Sequence, residues 1–142
     1  MAMDTINRAG NVVRVRENPL LRWALEIDGA VSALNGLAYV VAAGALSDLL
    51  GLPTALLVPA GAFLVVYGLV LVAMSMRSTV GRAVVRTVIV LNALWVADSI
   101  VVAASGWFDA STAGIVWILL QAAVVAGFAV AQAGGLRRAI AA

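Results

Sequence analysis

Four stretches of this chain are each about 20 residues long and almost wholly apolar, a length that carries a helix across a bilayer. They run over residues 27–46, 54–76, 83–104 and 112–131. Their Val and Ile content would suit strands in water. Lipid leaves no partner for an open strand edge, and four segments are too few to close a barrel, so the segments are expected to be helices. Composition agrees: 64% of residues are hydrophobic and 11% charged, against about 45–50% and about 25% in a soluble domain. A chain of 142 residues would keep roughly a third of its surface in water, and that much apolar surface excludes a soluble globular enzyme. The expected fold is an all-α membrane protein: a four-transmembrane-helix bundle of two antiparallel hairpins.

The linkers carry turn chemistry. Ser47-Asp48 and Gly51-Leu52-Pro53 separate the first pair of spans, Arg77-Ser78-Thr79 with Gly81-Arg82 the second pair, and Ser105-Gly106 with Asp109 the third. Ser111 or Thr112 is the expected N-cap of the last span. Loops this short join antiparallel neighbours. The basic residues are all Arg, nine in number. Arg8, Arg14, Arg16 and Arg22 precede span one, Arg77, Arg82 and Arg86 lie around the middle linker, and Arg137 and Arg138 follow span four. The other two linkers hold only Asp48 and Asp109 as charges. Positive charge stays cytoplasmic, so both termini are expected in the cytoplasm of a bacterial inner membrane. Residues 1–22 read as a basic tail, mobile or a short surface helix, 23–135 as the transmembrane domain, and 136–142 as a short tail. Ala43-Gly44-Ala45 resembles a signal-peptidase site, but the leader before it would be too long, so span one is expected to be retained.

The absence of Cys and His removes disulfides, thiol catalysis and the usual zinc and haem ligands, together with the usual general base. No cofactor or metal is expected. The Arg residues are placed to meet anionic lipid headgroups, at about 1 kcal/mol each near the surface, rather than nucleic acid. Membrane lipids are the expected partners, with a second copy or a membrane complex as a further one.

Polar residues inside the spans carry the functional signal, because charge in lipid is costly. Asp28, Ser32, Asn35 and Tyr39 are spaced to share one face of span one. Asp28 reads either as a first-turn carboxylate favoured by the helix dipole or as a functional group, and Glu26 is spaced to pair with Arg22. In span three, Asn92, Trp95 and Ser99 share a face and Asp98 lies about 120° from Asn92. A carboxyl at that depth costs about 2.5–3.5 kcal/mol. It must be protonated, hydrogen-bonded (Tyr39 is the expected partner) or turned to a hydrated cavity. Span four offers Gln121 near its centre, with Trp117 and Phe128 on a similar face and Gln132 at its cytoplasmic end. Span two has Tyr67 as its one central polar group. Gly29 with Gly36, and Gly61 with Gly68, give close-contact seams. Asn35, Asn92 and Gln121 fall near the midplane and are expected to form an amide layer bonded across helices. The candidate ligand-binding or proton-relay residues are therefore Asp28, Asn35, Tyr39, Asn92, Asp98 and Gln121.

Leu34-Asn35-Gly36-Leu37 resembles Leu91-Asn92-Ala93-Leu94. This suggests a parallel internal repeat that would make the two Asn residues equivalent. No Walker loop, Gly-x-Ser-x-Gly or metal-ligand cluster occurs. Asp28-Gly29 lacks the further Asp residues of a CDP-alcohol phosphotransferase, and the first span lacks the pattern of small multidrug exporters. Leu21-Arg22-Trp23-Ala24-Leu25 leading to Asp28, Leu50-Gly51-Leu52-Pro53, and Asn92-Ala93-Leu94-Trp95 with Ser99 resemble a family of small uncharacterised four-span bacterial integral membrane proteins. That resemblance implies the fold and is silent on activity. The expected function is a non-enzymatic helix bundle that self-associates or serves as a small subunit of a membrane complex. The alternative is a small proton-coupled permease using Asp98 or Asp28 and the amide layer.

Overall fold

A computed structural model describes residues 10–141. Arg8 and the rest of the tail before residue 10 lie outside it, as does Ala142. Among the described residues the regular structure is helical apart from one two-residue ladder. The elements are β1 (Val12–Val13), α1 (Pro19–Val41), α2 (Ala43–Leu50), α3 (Thr54–Ser75), β2 (Val80–Gly81), α4 (Arg82–Ser105) and α5 (Thr112–Ala141). Four of them, α1, α3, α4 and α5, are long and apolar enough to cross a membrane.

The first helix differs from the expected 27–46. It starts at Pro19, where proline at the first helical position loses no bond the helix needs. Arg22, Glu26 and Asp28 depress the hydropathy of its first turns and hide the start from an apolarity count. At Ala42 it breaks, and α2 carries on to Gly51. Gly51 has φ +68° and its N–H donates to the Ser47 carbonyl, the left-handed stop that glycine makes without strain. The last helix runs on past 131 to Ala141 through Gly134-Gly135. Glycine is a poor helix former, yet the helix continues through the pair. In the fold Gly135 lies against Leu21, where an added Cβ would sit 2.8 Å from the Leu21 Cα, so it serves contact.

The closest packing is of α1 on α3, followed by α4 on α5 and α1 on α5. The α1–α3 seam is made by the four glycines picked out above. Gly29 faces Gly68, with backbone oxygen where each would carry a Cβ, and Gly36 faces Gly61 in the same way. Without hydrophobic driving force between helices in lipid, such close backbone approach supplies the contact.

Part of the expected N-terminal tail is built into the fold. Val12 pairs with Gly81 and Val13 with Val80 in an antiparallel ladder, and the Arg82 N–H donates to the Asn11 carbonyl at 2.7 Å. Val13 and Val15 are buried with Leu21, Leu25, Leu71, Val85 and Leu136. This cluster gathers the start of α1, the middle linker and the end of α5, the three places where the described Arg residues lie. At the other end, Ser111 Oγ donates to the Leu49 carbonyl at 2.8 Å and receives the Gly114 N–H at 3.0 Å. Ser111 is thus the N-cap of α5 and also ties the two Asp-bearing linkers together.

Candidate functional site

Because α1 begins at Pro19, Asp28 sits about 13 Å along the helix from its start, well past the first turn. It is 1% exposed, which replaces the reading of an interfacial carboxylate. A carboxyl in such a place needs donors, and three of the four long helices bring them. Asp28 Oδ2 accepts from Asn92 Nδ2 of α4 at 2.8 Å and from Gln132 Nε2 of α5 at 2.7 Å. Asp28 Oδ1 accepts from Ser32 Oγ at 3.1 Å, one turn along α1. Asn92 Nδ2 uses its second hydrogen on Gln132 Oε1 at 2.9 Å. Tyr67 of α3 donates its hydroxyl to Asn92 Oδ1 at 2.8 Å, with the Val88 carbonyl a further acceptor at 3.3 Å. Asp28, Asn92 and Gln132 therefore bond mutually, and Tyr67 closes the circuit to the fourth helix. Burial in a low-dielectric interior makes each such bond stronger and each vacancy more costly.

A second polar group lies about one to two turns further along α4. Trp95 Nε1 donates to Gln121 Oε1 at 2.6 Å. Gln121 Nε2 donates to Ser99 Oγ at 2.9 Å and to the Ile118 carbonyl at 2.8 Å. Ser99 Oγ donates back to the Trp95 carbonyl at 2.7 Å. Trp117 Nε1 donates to the Tyr39 hydroxyl at 2.7 Å. Phe63 stacks on both Tyr67 and Trp95, at 5.5 and 6.4 Å between ring centres, and so links the two polar groups through α3.

The expected single amide layer is therefore two. Asn92 belongs with Asp28 and Gln132, and Gln121 with Trp95 and Ser99. Asn35 makes no side-chain hydrogen bond among the described residues. It borders a cavity of about 150 Å³ with Ser32, Trp95, Trp117 and Gln121. The physical reason is depth: starting α1 earlier and ending α5 later shifts Asp28 and Gln132, not Asn35 and Gln121, to the level of Asn92. The Asn residues of the two similar tetrapeptides consequently do different things. The expected Asp98–Tyr39 bond is also replaced. Tyr39 accepts from Trp117, and Asp98 is exposed, with no hydrogen bond or ion pair among the described residues. Asp98 borders a half-open cleft of about 240 Å³ between α3 and α4, with Tyr39, Leu57, Ala60, Trp95 and Gln121. Glu26 is exposed and forms no ion pair with Arg22, whose guanidinium lies 5.5 Å from the Trp23 ring.

Ser32, Tyr67 and Gln132 belong to the Asp28 network although sequence reasoning left them outside the candidate set, and Gln132 is the one placed at the edge of its span. Its signal was present: it follows Gln121 by about three helical turns, and so shares its face. Among the described residues no cluster of His, Cys, Asp and Glu could hold a metal ion. The Asp28 network can fix the register of four helices against one another. Comparison with family models, with curated proteins and with solved structures gives no match to this chain.

Proposed function

We propose that this chain is a non-enzymatic, multi-pass protein of the bacterial cytoplasmic membrane that acts by lateral association, either with itself or as a small subunit of a membrane complex. In this reading α1 and α3 form one antiparallel hairpin and α4 and α5 the other, with both termini cytoplasmic. The facing of Gly29 with Gly68 and of Gly36 with Gly61 supports the first hairpin. The gathering of the described Arg residues at one end supports the orientation. The family resemblance read from the sequence fits the same proposal.

One observation carries the association reading: α4 is scarcely covered. Only 17% of its apolar window is buried, the same as for α5, against 39% for α1. α4 also bears Asp98, exposed and without a bond among the described residues, whereas its Asn92, Trp95 and Ser99 are bonded within the chain and its Leu94 and Val101 lie exposed. In lipid, helices gain by packing and by satisfying polar groups across interfaces, so an open helix of this kind gains from a neighbour. The Gly seams are consumed inside the chain and are not the outward surface. The absence of native Cys allows a direct test. Single cysteines at exposed Leu94 and Val101 are expected to cross-link to a neighbouring protein in native membranes, and cysteines at buried Val88 are not. Uniform failure of the α4 positions to cross-link would overturn the reading.

A second reading, a small proton-coupled permease, draws support at Asp98 from the cleft beside it. At Asp28 the closed network speaks against it, since every acceptor there is already engaged.

A further inference from the structure

Asp98 stands out among the polar groups of the spans. Of the other carboxyls in the long helices, Asp28 is met by three donors of the chain itself, and Glu26 is exposed at the end of the bundle where the described Arg residues lie. Asp98 is exposed, with no bond among the described residues, about 10 Å from the end of α4. A carboxyl at that depth without a partner carries the full cost of its place in lipid. Among the described residues no cation of the chain reaches it. The Arg of α4 nearest in sequence is Arg86, about 18 Å away along the helix, and the other described Arg residues sit with it at the opposite end of the bundle.

The cleft beside Asp98 is otherwise mostly apolar and aromatic, with Ser99 and Gln121, which bond to each other, its further polar members. Leu57 and Ala60 come from α3, Trp95 from α4 and Tyr39 from α1. Trp95 Nε1 donates to Gln121, and the Tyr39 oxygen accepts from Trp117. Trp95 therefore offers the cleft aromatic surface alone, and Tyr39 adds a ring whose hydroxyl hydrogen has no acceptor among the described residues. One carboxylate alone is too poor a set for a divalent metal ion, which wants several oxygen ligands. One carboxylate beside aromatic rings and aliphatic walls suits a single organic positive charge on an apolar body.

We propose that the α3–α4 cleft binds a lipophilic organic cation, an ammonium or a like onium group attached to an apolar body, with Asp98 as its counter-charge. The site is filled from the membrane, and it holds whether the chain works alone or within an assembly. The volume of about 240 Å³ sets the scale: a benzyl-sized body with a small ammonium head, and not a long-chain lipid.

The test uses the full chain in zwitterionic lipid nanodiscs, with radiolabelled benzyltrimethylammonium as probe and empty nanodiscs as background. Neopentylbenzene, its uncharged isostere with carbon in place of nitrogen, is the control. Saturable binding of the cation is expected, with none for the isostere. Asp98→Asn should weaken binding about tenfold or more, the loss that follows when a counter-charge is removed. Ala60→Phe, which keeps the carboxyl and fills the cleft, should weaken it to a similar extent, and it decides the matter where Asp98→Asn fails to fold. Absence of saturable binding to the native chain, equal binding of the neutral isostere, or undiminished binding by either folded variant would overturn the proposal.

Discussion

Replacing Asn92 by Leu, of similar size, should cost the protein about 3 kcal/mol of stability in a bilayer, while the same change at Asn35 should cost less than about 0.5. The two residues lie in near-identical tetrapeptides, so sequence offers no ground for the difference. In the fold Asn92 makes two bonds as donor, to Asp28 and Gln132, and one as acceptor, from Tyr67. Interhelical hydrogen bonds in membranes average about 0.6 kcal/mol and reach about 1.7. Three lost bonds thus give about 2 kcal/mol at the average and about 5 at the limit. The middle of that range is expected because the partners are only partly stranded. Tyr67 keeps the Val88 carbonyl, and Gln132 keeps Asp28. Asn35 has no bond to lose and borders a cavity that can take up a small change of shape. Reversible unfolding of the two variants in bicelles, by steric trapping, measures both values. A double-mutant cycle of Asn92→Leu with Gln132→Leu should show coupling of about 1 kcal/mol, because the two share Asp28. Equal destabilisation by the two Asn variants, or an Asn92→Leu protein within 0.5 kcal/mol of the native one, would refute the account of the network.

Further expectations follow from the packing and the charges. Gly68→Ala should lower stability by about 1–3 kcal/mol or more, since the new methyl would meet backbone atoms of Gly29 and Ala33 and not a yielding side chain. Gly127→Ala, with nothing within 4 Å, should be neutral or slightly stabilising, and thermal unfolding in detergent reads both. Cysteines placed at Asp48 and Asp109 should react with a membrane-impermeant maleimide added to intact cells, and a cysteine at Arg77 should react only after lysis. The reverse pattern would invert the orientation proposed from the Arg residues.

The helices were legible because their cause is local. A run of apolar side chains must enter lipid, and a backbone in lipid must satisfy its own N–H and C=O groups, so each long apolar stretch codes for a helix without reference to the others. Ser111, one of two caps expected, and Gly51, expected only as a linker turn residue, each act within one turn of themselves, so their chemistry was legible even where the helix end at Leu50 was not. Helix ends were less so. The start of α1 was obscured by Arg22, Glu26 and Asp28, which lower the hydropathy of turns that are helical all the same. The end of α5 was obscured by Gly134-Gly135, whose meaning depends on Leu21 of another helix.

The site was legible as a set of residue types and not as a set of partners. Asp28, Asn92 and Tyr67 all announced themselves as polar groups in apolar spans. That Gln132 completes their circuit, that Gln121 belongs to a different one, that the Asn35 side chain finds no hydrogen bond among the described residues, and that Asp98 borders a cleft instead of bonding Tyr39 depended on relative depth. A slide of one turn moves a residue about 5 Å along its helix, more than the length of a hydrogen bond. The sequence by itself determined that the chain folds as apolar helices with its positive charge at alternate linkers, because transfer energy is a sum over single residues. Only the tertiary structure decided which polar groups meet, because a hydrogen bond is a property of two atoms brought within 3 Å by the packing of everything between them.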